Sequence, residues 1–114
     1  MPDLSLSRIT KGWEFDLLFR TGIRTQGELV RLLYLRNESC SIQVGFVVSK
    51  RLGKANVRNR GRRILREAFR QVQTQITPGL KIILSLKDNG LNAKTQDIHR
   101  ELINLLRRRK LLIT

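Results

Sequence analysis

Cysteine and histidine are nearly absent: Cys40 and His99 are the only ones in 114 residues. A single thiol excludes an intrachain disulfide, and one residue of each kind leaves no Cys/His set for zinc. Most His-centred catalysis is excluded as well, and a reducing, cytoplasmic compartment is the natural setting. Acids are scarce too, nine against 23 Lys and Arg. A two-metal nuclease needs several carboxylates gathered on ions about 3.5–4 Å apart, and here they are scattered. The closest helical pair is Asp97 with Glu101, read as pairing locally with Arg100 or Lys94. No apolar run approaches the ~18 residues that span a bilayer. Residues 1–10 lack the basic start and apolar block of a secretory signal, so no membrane partner is expected. Repeats, low-complexity tracts and Pro/Ser-rich linkers are also missing. The chain reads as one domain over 1–114, with loose ends expected at 1–8 and 109–114.

What is present is positive charge and enough apolar residues to fold. The net charge is +14 and the hydrophobic fraction 40%, which fits a globular domain rather than a disordered basic tail. Such a field attracts phosphate at long range, so nucleic acid is the expected partner.

A short helix is predicted over 11–20, with Thr10 as its N-cap and Gly22 as its stop. Phe15, Leu18 and Phe19 share one face, and Trp13 and Leu17 lie opposite. Strands are predicted over 28–36 and 41–49, joined by Asn37-Glu38-Ser39. In the second, Val44, Phe46 and Val48 face one way and Gly45, Val47 and Ser49 the other. A strand-interior Gly marks close approach of something to the backbone. Thr77-Pro78-Gly79 breaks the chain before an Ile/Leu-rich strand at 81–86. A last helix starts near Thr95, carries Ile98, Leu102, Leu105 and Leu106 at helical spacing, and ends in Arg107-Arg108-Arg109-Lys110.

The charge is concentrated in residues 49–70, where nine Lys and Arg meet one acid, Glu67. From Asn56 onward the pattern is helical. Val57, Gly61, Ile64, Leu65, Ala68 and Val72 form one stripe. Asn59, Arg62, Arg63, Arg66 and Arg70 lie opposite, with Arg58 and Arg60 on the flanks. One acid cannot neutralise such a face. A planar, permanently charged guanidinium binds phosphate through two parallel hydrogen bonds. The residues alone thus indicate a nucleic-acid-binding domain, and a ribosomal or other structural RNA-binding protein is one alternative that fits them.

Within this segment stand Ser49-Lys50-Arg51-Leu52-Gly53-Lys54-Ala55, then Val57-Arg58-Asn59-Arg60 and Leu65-Arg66-Glu67-Ala68-Phe69-Arg70. The block closely resembles the signature of the protein subunit of bacterial ribonuclease P, and a weaker resemblance extends along the whole chain. Gly61 departs from the family pattern, which carries a larger side chain there, and the Gly12-Trp13 pair is also atypical. The resemblance implies an α/β sandwich of the ribosomal protein S5 domain 2-like type. Its small mixed sheet has about four strands and three helices, with a left-handed βαβ crossover where the generic rule gives a right-handed one. It implies a protein that binds the catalytic RNA subunit and the 5′ leader of precursor tRNA, with no obligate protein partner. The RNA would be the catalyst and the user of magnesium, and the protein would bind no cofactor and carry no catalytic residue. Lys54, Arg58, Asn59, Arg60, Arg62, Arg63 and Arg66 match the family's RNA-subunit contacts. Phe15, Phe19, Tyr34, Val47, Ser49 and Lys50 match its leader cleft.

Overall fold

Two alternating runs build the sheet. Val30, Leu32 and Tyr34 alternate with Arg31, Leu33 and Leu35, while Leu80, Ile82, Leu84 and Leu86 alternate with Lys81, Ile83 and Ser85. Successive strand side chains point to opposite faces. Both runs therefore send apolar residues both ways, and only a sheet covered on two sides keeps them dry.

The structure, a computed structural model, describes residues 6–9, 11–37 and 41–113. In chain order these form β1 (Leu6–Arg8), α1 (Gly12–Thr21), β2 (Ile23–Gln26), β3 (Val30–Arg36), β4 (Ile42–Val47), α2 (Ala55–Val72), β5 (Leu80–Leu86) and α3 (Thr95–Arg108). The five strands lie in the order β1-β4-β5-β3-β2. β4 is parallel to β1 and β5, and β3 is antiparallel to β5 and β2. α2 makes the crossover between the parallel neighbours β4 and β5. The expected mixed sheet and three helices are present, with short β1 and β2 at its two edges.

Several expected boundaries move. Lys11 occupies the N-cap of α1, while Thr10, expected there, lies outside the described residues, as do Glu38, Ser39 and Cys40. Gly22 does stop that helix, its N–H donating to the Leu18 carbonyl at 2.8 Å. Near each end some residues contact the rest of the fold. Leu6, Ser7 and Arg8 pair with Ile42, Gln43 and Val44, Leu111 is fully buried, and Leu112 bridges Ile76.

α2 and α3 cover one face of the sheet. There Leu65, Ala68, Phe69, Val72, Ile98, Leu102, Leu105 and Leu106 join Val30, Leu32, Val44, Ile82 and Leu84 in the main core. Gly61 is where α2 comes closest. A Cβ on it would sit 3.0 Å from Leu86 Cδ2 and 3.2 Å from Val48 Cγ2, which explains the missing side chain. α1 covers the opposite face, burying Leu18 against Ile9, Leu33 and Ile83, with Phe15, Leu35 and Val47 packed around them. The close approach expected at Gly45 is the Phe15 ring, 2.8 Å from where a Cβ would stand.

Glu101 corrects its expected role. Asp97 pairs with Arg100 at 3.6 Å, but the Glu101 carboxylate reaches the β2–β3 turn. It accepts hydrogen bonds from the backbone N–H groups of Glu28 (3.1 Å), Leu29 (2.8 Å) and Val30 (2.7 Å). Gly27 leaves room for it, since a Cβ there would lie 2.3 Å from Glu101 Cδ. Hydrogen bonds to a charged acceptor contribute more than neutral ones. Glu101→Ala should therefore cost about 3 kcal/mol in urea unfolding, from the missing bonds and the unsatisfied donors left behind. A loss below about 0.5 kcal/mol, the range of ordinary surface changes, would show that the turn holds itself.

Candidate nucleic-acid interface

α2 presents its arginines because its other side is committed to the core. Gly61, Leu65, Ala68, Phe69 and Val72 are buried along the docking side. Asn59, Arg60, Arg63, Arg66 and Arg70 are exposed, and Arg62 is half-buried. Asn59, Arg60, Arg62, Arg63 and Arg66 line one shallow surface of about 500 Å³ together with Asn56, which the sequence pattern does not single out. Arg62 donates to the side-chain oxygen of Asn59. The flanking residues turn to loops, with Arg58 Nε donating to the Gly53 carbonyl at 3.3 Å and Arg60 Nη2 to the Leu91 carbonyl at 3.3 Å. Lys54 is exposed at the N-cap of α2.

The acids do not neutralise this face. Among the described residues the ion pairs are Arg51–Asp88, Arg70–Glu67, Lys81–Glu14 and Arg100–Asp97. Arg58, Arg60, Arg62, Arg63 and Arg66 join none of them. Their guanidinium groups keep the capacity to bind phosphate oxygens in pairs.

On the α1 side lies a separate hollow of about 560 Å³, lined by Phe19, Val47 and Ser49 together with the cations Arg31, Arg51 and Lys87 and the acids Glu28 and Asp88. Phe19 is 38% exposed. Phe15 lies deeper, packed on Gly45. Lys50 is exposed in the turn after Ser49, but Arg51 is the residue that lines the hollow. Tyr34 must be corrected. It is 5% exposed and belongs to the core under α2 and α3, whereas its neighbour Leu33 faces α1. Arg31, Arg51 and Lys87 come from three separate segments and share no pattern along the chain. Arg31 Nε is held by Gln26 Oε1 at 3.2 Å, Lys87 Nζ by the Gly27 carbonyl at 3.0 Å, and Arg51 by Asp88 at 3.0 Å. The site thus has two parts, a guanidinium helix and a mixed-charge hollow with an aromatic wall in which cations outnumber acids three to two.

A family model described as Ribonuclease P matches residues 5–110. The chain belongs to the ribonuclease P protein family. A ribonuclease P protein component of Thermoanaerobacter sp. (strain X514) is 38% identical over 76 residues, 67% of this chain and 66% of that protein. The chain thus spans just under two thirds of that relative's length. One from Clostridioides difficile (strain 630) is 32% identical over 101 residues, covering 88% of this chain and 89% of the relative. The solved RNase P protein from Thermotoga maritima superposes with a TM-score of 0.80 at 28% identity, covering 89% of this chain and 96% of that one. Membership of the ribonuclease P family favours that reading over the ribosomal alternative.

Within this family member no three His, Cys, Asp or Glu side chains gather to hold a metal, among the described residues. His99 is half-buried on α3. No helix among the described residues is long and apolar enough to cross a membrane. Arg62→Ala and Arg63→Ala should each weaken RNA binding. Each should also flatten the log-affinity against log-salt slope by just under ~1 unit for every phosphate left without its cation. The melting temperature should hold, because neither residue belongs to the buried stripe. An unchanged slope in the double variant would move the RNA site off α2.

Proposed function

We propose that this chain serves as the protein component of ribonuclease P, pairing with a catalytic RNA subunit to remove the 5′ leader from precursor tRNA. The observation that carries this reading is the unneutralised arginine face of α2 in a chain of this family. Lys54, Arg58, Asn59, Arg60, Arg62, Arg63 and Arg66 take the phosphates of the RNA subunit. The single-stranded leader runs through the α1-side hollow. There Phe19 stacks on a base, Val47 and Ser49 form the floor, and Arg31, Arg51 and Lys87 hold the backbone. Phe15 supports this cleft from below, and Lys50 extends the positive field at its mouth. Magnesium belongs to the RNA subunit, the protein works in the cytoplasm, and no further protein is required.

The protein's contribution is binding and placement. Neutralising phosphate repulsion between two RNAs lets them approach with fewer magnesium ions, and a held leader fixes the scissile bond in position. RNA-free protein should leave precursor tRNA uncut. Adding a ribonuclease P RNA should give cleavage at lower magnesium than that RNA needs alone. Cleavage by protein stripped of RNA would overturn the proposal.

The two aromatic residues should separate in their effects. Phe19→Ala should weaken binding of leader-bearing precursor to the assembled enzyme by about 1–3 kcal/mol, the worth of one base stacked on an aromatic. Mature tRNA should bind as before. Phe15→Ala should instead lower the melting temperature, since it uncovers Gly45. Equal losses for both tRNA forms with Phe19→Ala would remove the leader from this hollow.

A further inference from the structure

On the face covered by α2, a smaller hollow of about 240 Å³ opens beside that helix. Val44 and Phe46 of β4 and Phe69 of α2 line it, and Arg8, Arg66 and Arg70 surround them. The two rings meet edge to face, with centroids 5.8 Å apart and planes at 75°. Phe69 is 3% exposed while Phe46 stays partly open. Arg70 Nη2 bonds both Glu67 oxygens at 2.9 Å, and no carboxylate pairs with Arg8 or Arg66 among the described residues. None of the residues lining the leader hollow belongs to this one.

An apolar floor under three guanidinium groups makes two demands. The floor gains free energy when covered by something apolar, and the cations need anionic oxygens. A nucleotide supplies both, with a flat aromatic base and a phosphate on each side. The hollow is smaller than the roughly 300–1,000 Å³ of pockets for drug-sized ligands, so it suits one ring system. Gln73 stands on the same rim and offers a donor and an acceptor to a base edge. Unstacked RNA bases are bound in this manner, against aromatic rings and guanidinium planes.

We infer that this hollow receives one unstacked base of the RNA subunit, with its flanking phosphates on Arg8, Arg66 and Arg70. The inference rests on the function proposed above. Arg66 identifies the source, because it lines both this hollow and the arginine surface assigned to the RNA subunit. An apolar side chain from a protein would cover the floor and leave Arg8 and Arg66 without counter-charge.

Photocrosslinking within the assembled ribonucleoprotein tests this. With Phe46 replaced by p-azidophenylalanine, irradiation should join the protein to one nucleotide of the RNA subunit. Making that nucleotide abasic should weaken binding about tenfold. Phe46→Leu keeps an apolar side chain but removes the ring, so it should weaken intact RNA several-fold and abasic RNA not at all, measured at a temperature where the variant is fully folded. If the label at Phe46 disturbs folding, the same label at Gln73 reads the same hollow. Crosslinks to precursor tRNA or to protein, no RNA crosslink from an assembled labelled complex, or equal losses for intact and abasic RNA would each overturn the inference. Failure of the unmodified protein to bind the RNA subunit would instead overturn the proposed function, and the inference with it.

Discussion

The seat of α2 on the sheet at Gly61 governs where the positive charge of this protein points. Glycine inside a helix costs about 1 kcal/mol relative to alanine. At this position it lets the helix backbone settle so close to Val48 and Leu86 that a Cβ would make contacts of 3.0–3.2 Å, which those side chains would have to yield to admit. The buried stripe that follows, from Leu65 to Val72, fixes the rotation of the helix about its axis. Arg62, Arg63 and Arg66 face outward as a consequence of what lies beneath them. The backbone that carries these cations is already fixed, so only their side chains are left to order on meeting a folded RNA, and that preorganisation favours binding.

Where the acids sit matters as much as their number. Glu101 ties down a turn, Glu14 pairs with Lys81 at 3.4 Å under α1, Asp97 pairs locally with Arg100, and Asp88 reaches Arg51 from 37 residues away. Glu67 alone stands on α2, bonded to Arg70. The remaining arginines of that helix repel one another in the free protein, a self-repulsion that destabilises the compact state. An RNA partner relieves the repulsion, and any ligand that binds only the folded form stabilises it by mass action. The surface that makes the isolated protein less stable is the one that makes the complex more so.

Elements carried by local periodicity were legible in the sequence. α2 could be read from its apolar stripe and β4 from alternation around Gly45, and α3 starts at Thr95 as its leucine spacing predicts. β2 was not legible, because its one apolar residue, Ile23, is 45% exposed while Thr25 is buried. Tyr34 was misplaced because a one-residue slip in register turns every side chain to the other face. Only its pairing with Ile82 and Ile23 settles which way it points. The role of Glu101 and the gathering of Arg31, Arg51 and Lys87 depend on segments that meet only after folding. In each case the missing information was a long-range contact rather than a residue type.

The bond from Glu101 to the β2–β3 turn also orders events in time. Its partners lie as many as 73 residues earlier in the chain. At roughly 5–20 residues per second, a ribosome adds the turn about 4–15 s before it adds the acceptor. During that interval the N–H groups of Glu28, Leu29 and Val30 have only water to bond, and β2 and β3 lack their anchor. The arginines of α2 are added within the same interval, before the fold that aims them is complete. The turn between β2 and β3 therefore gains its anchor only after the arginines of α2 have been made.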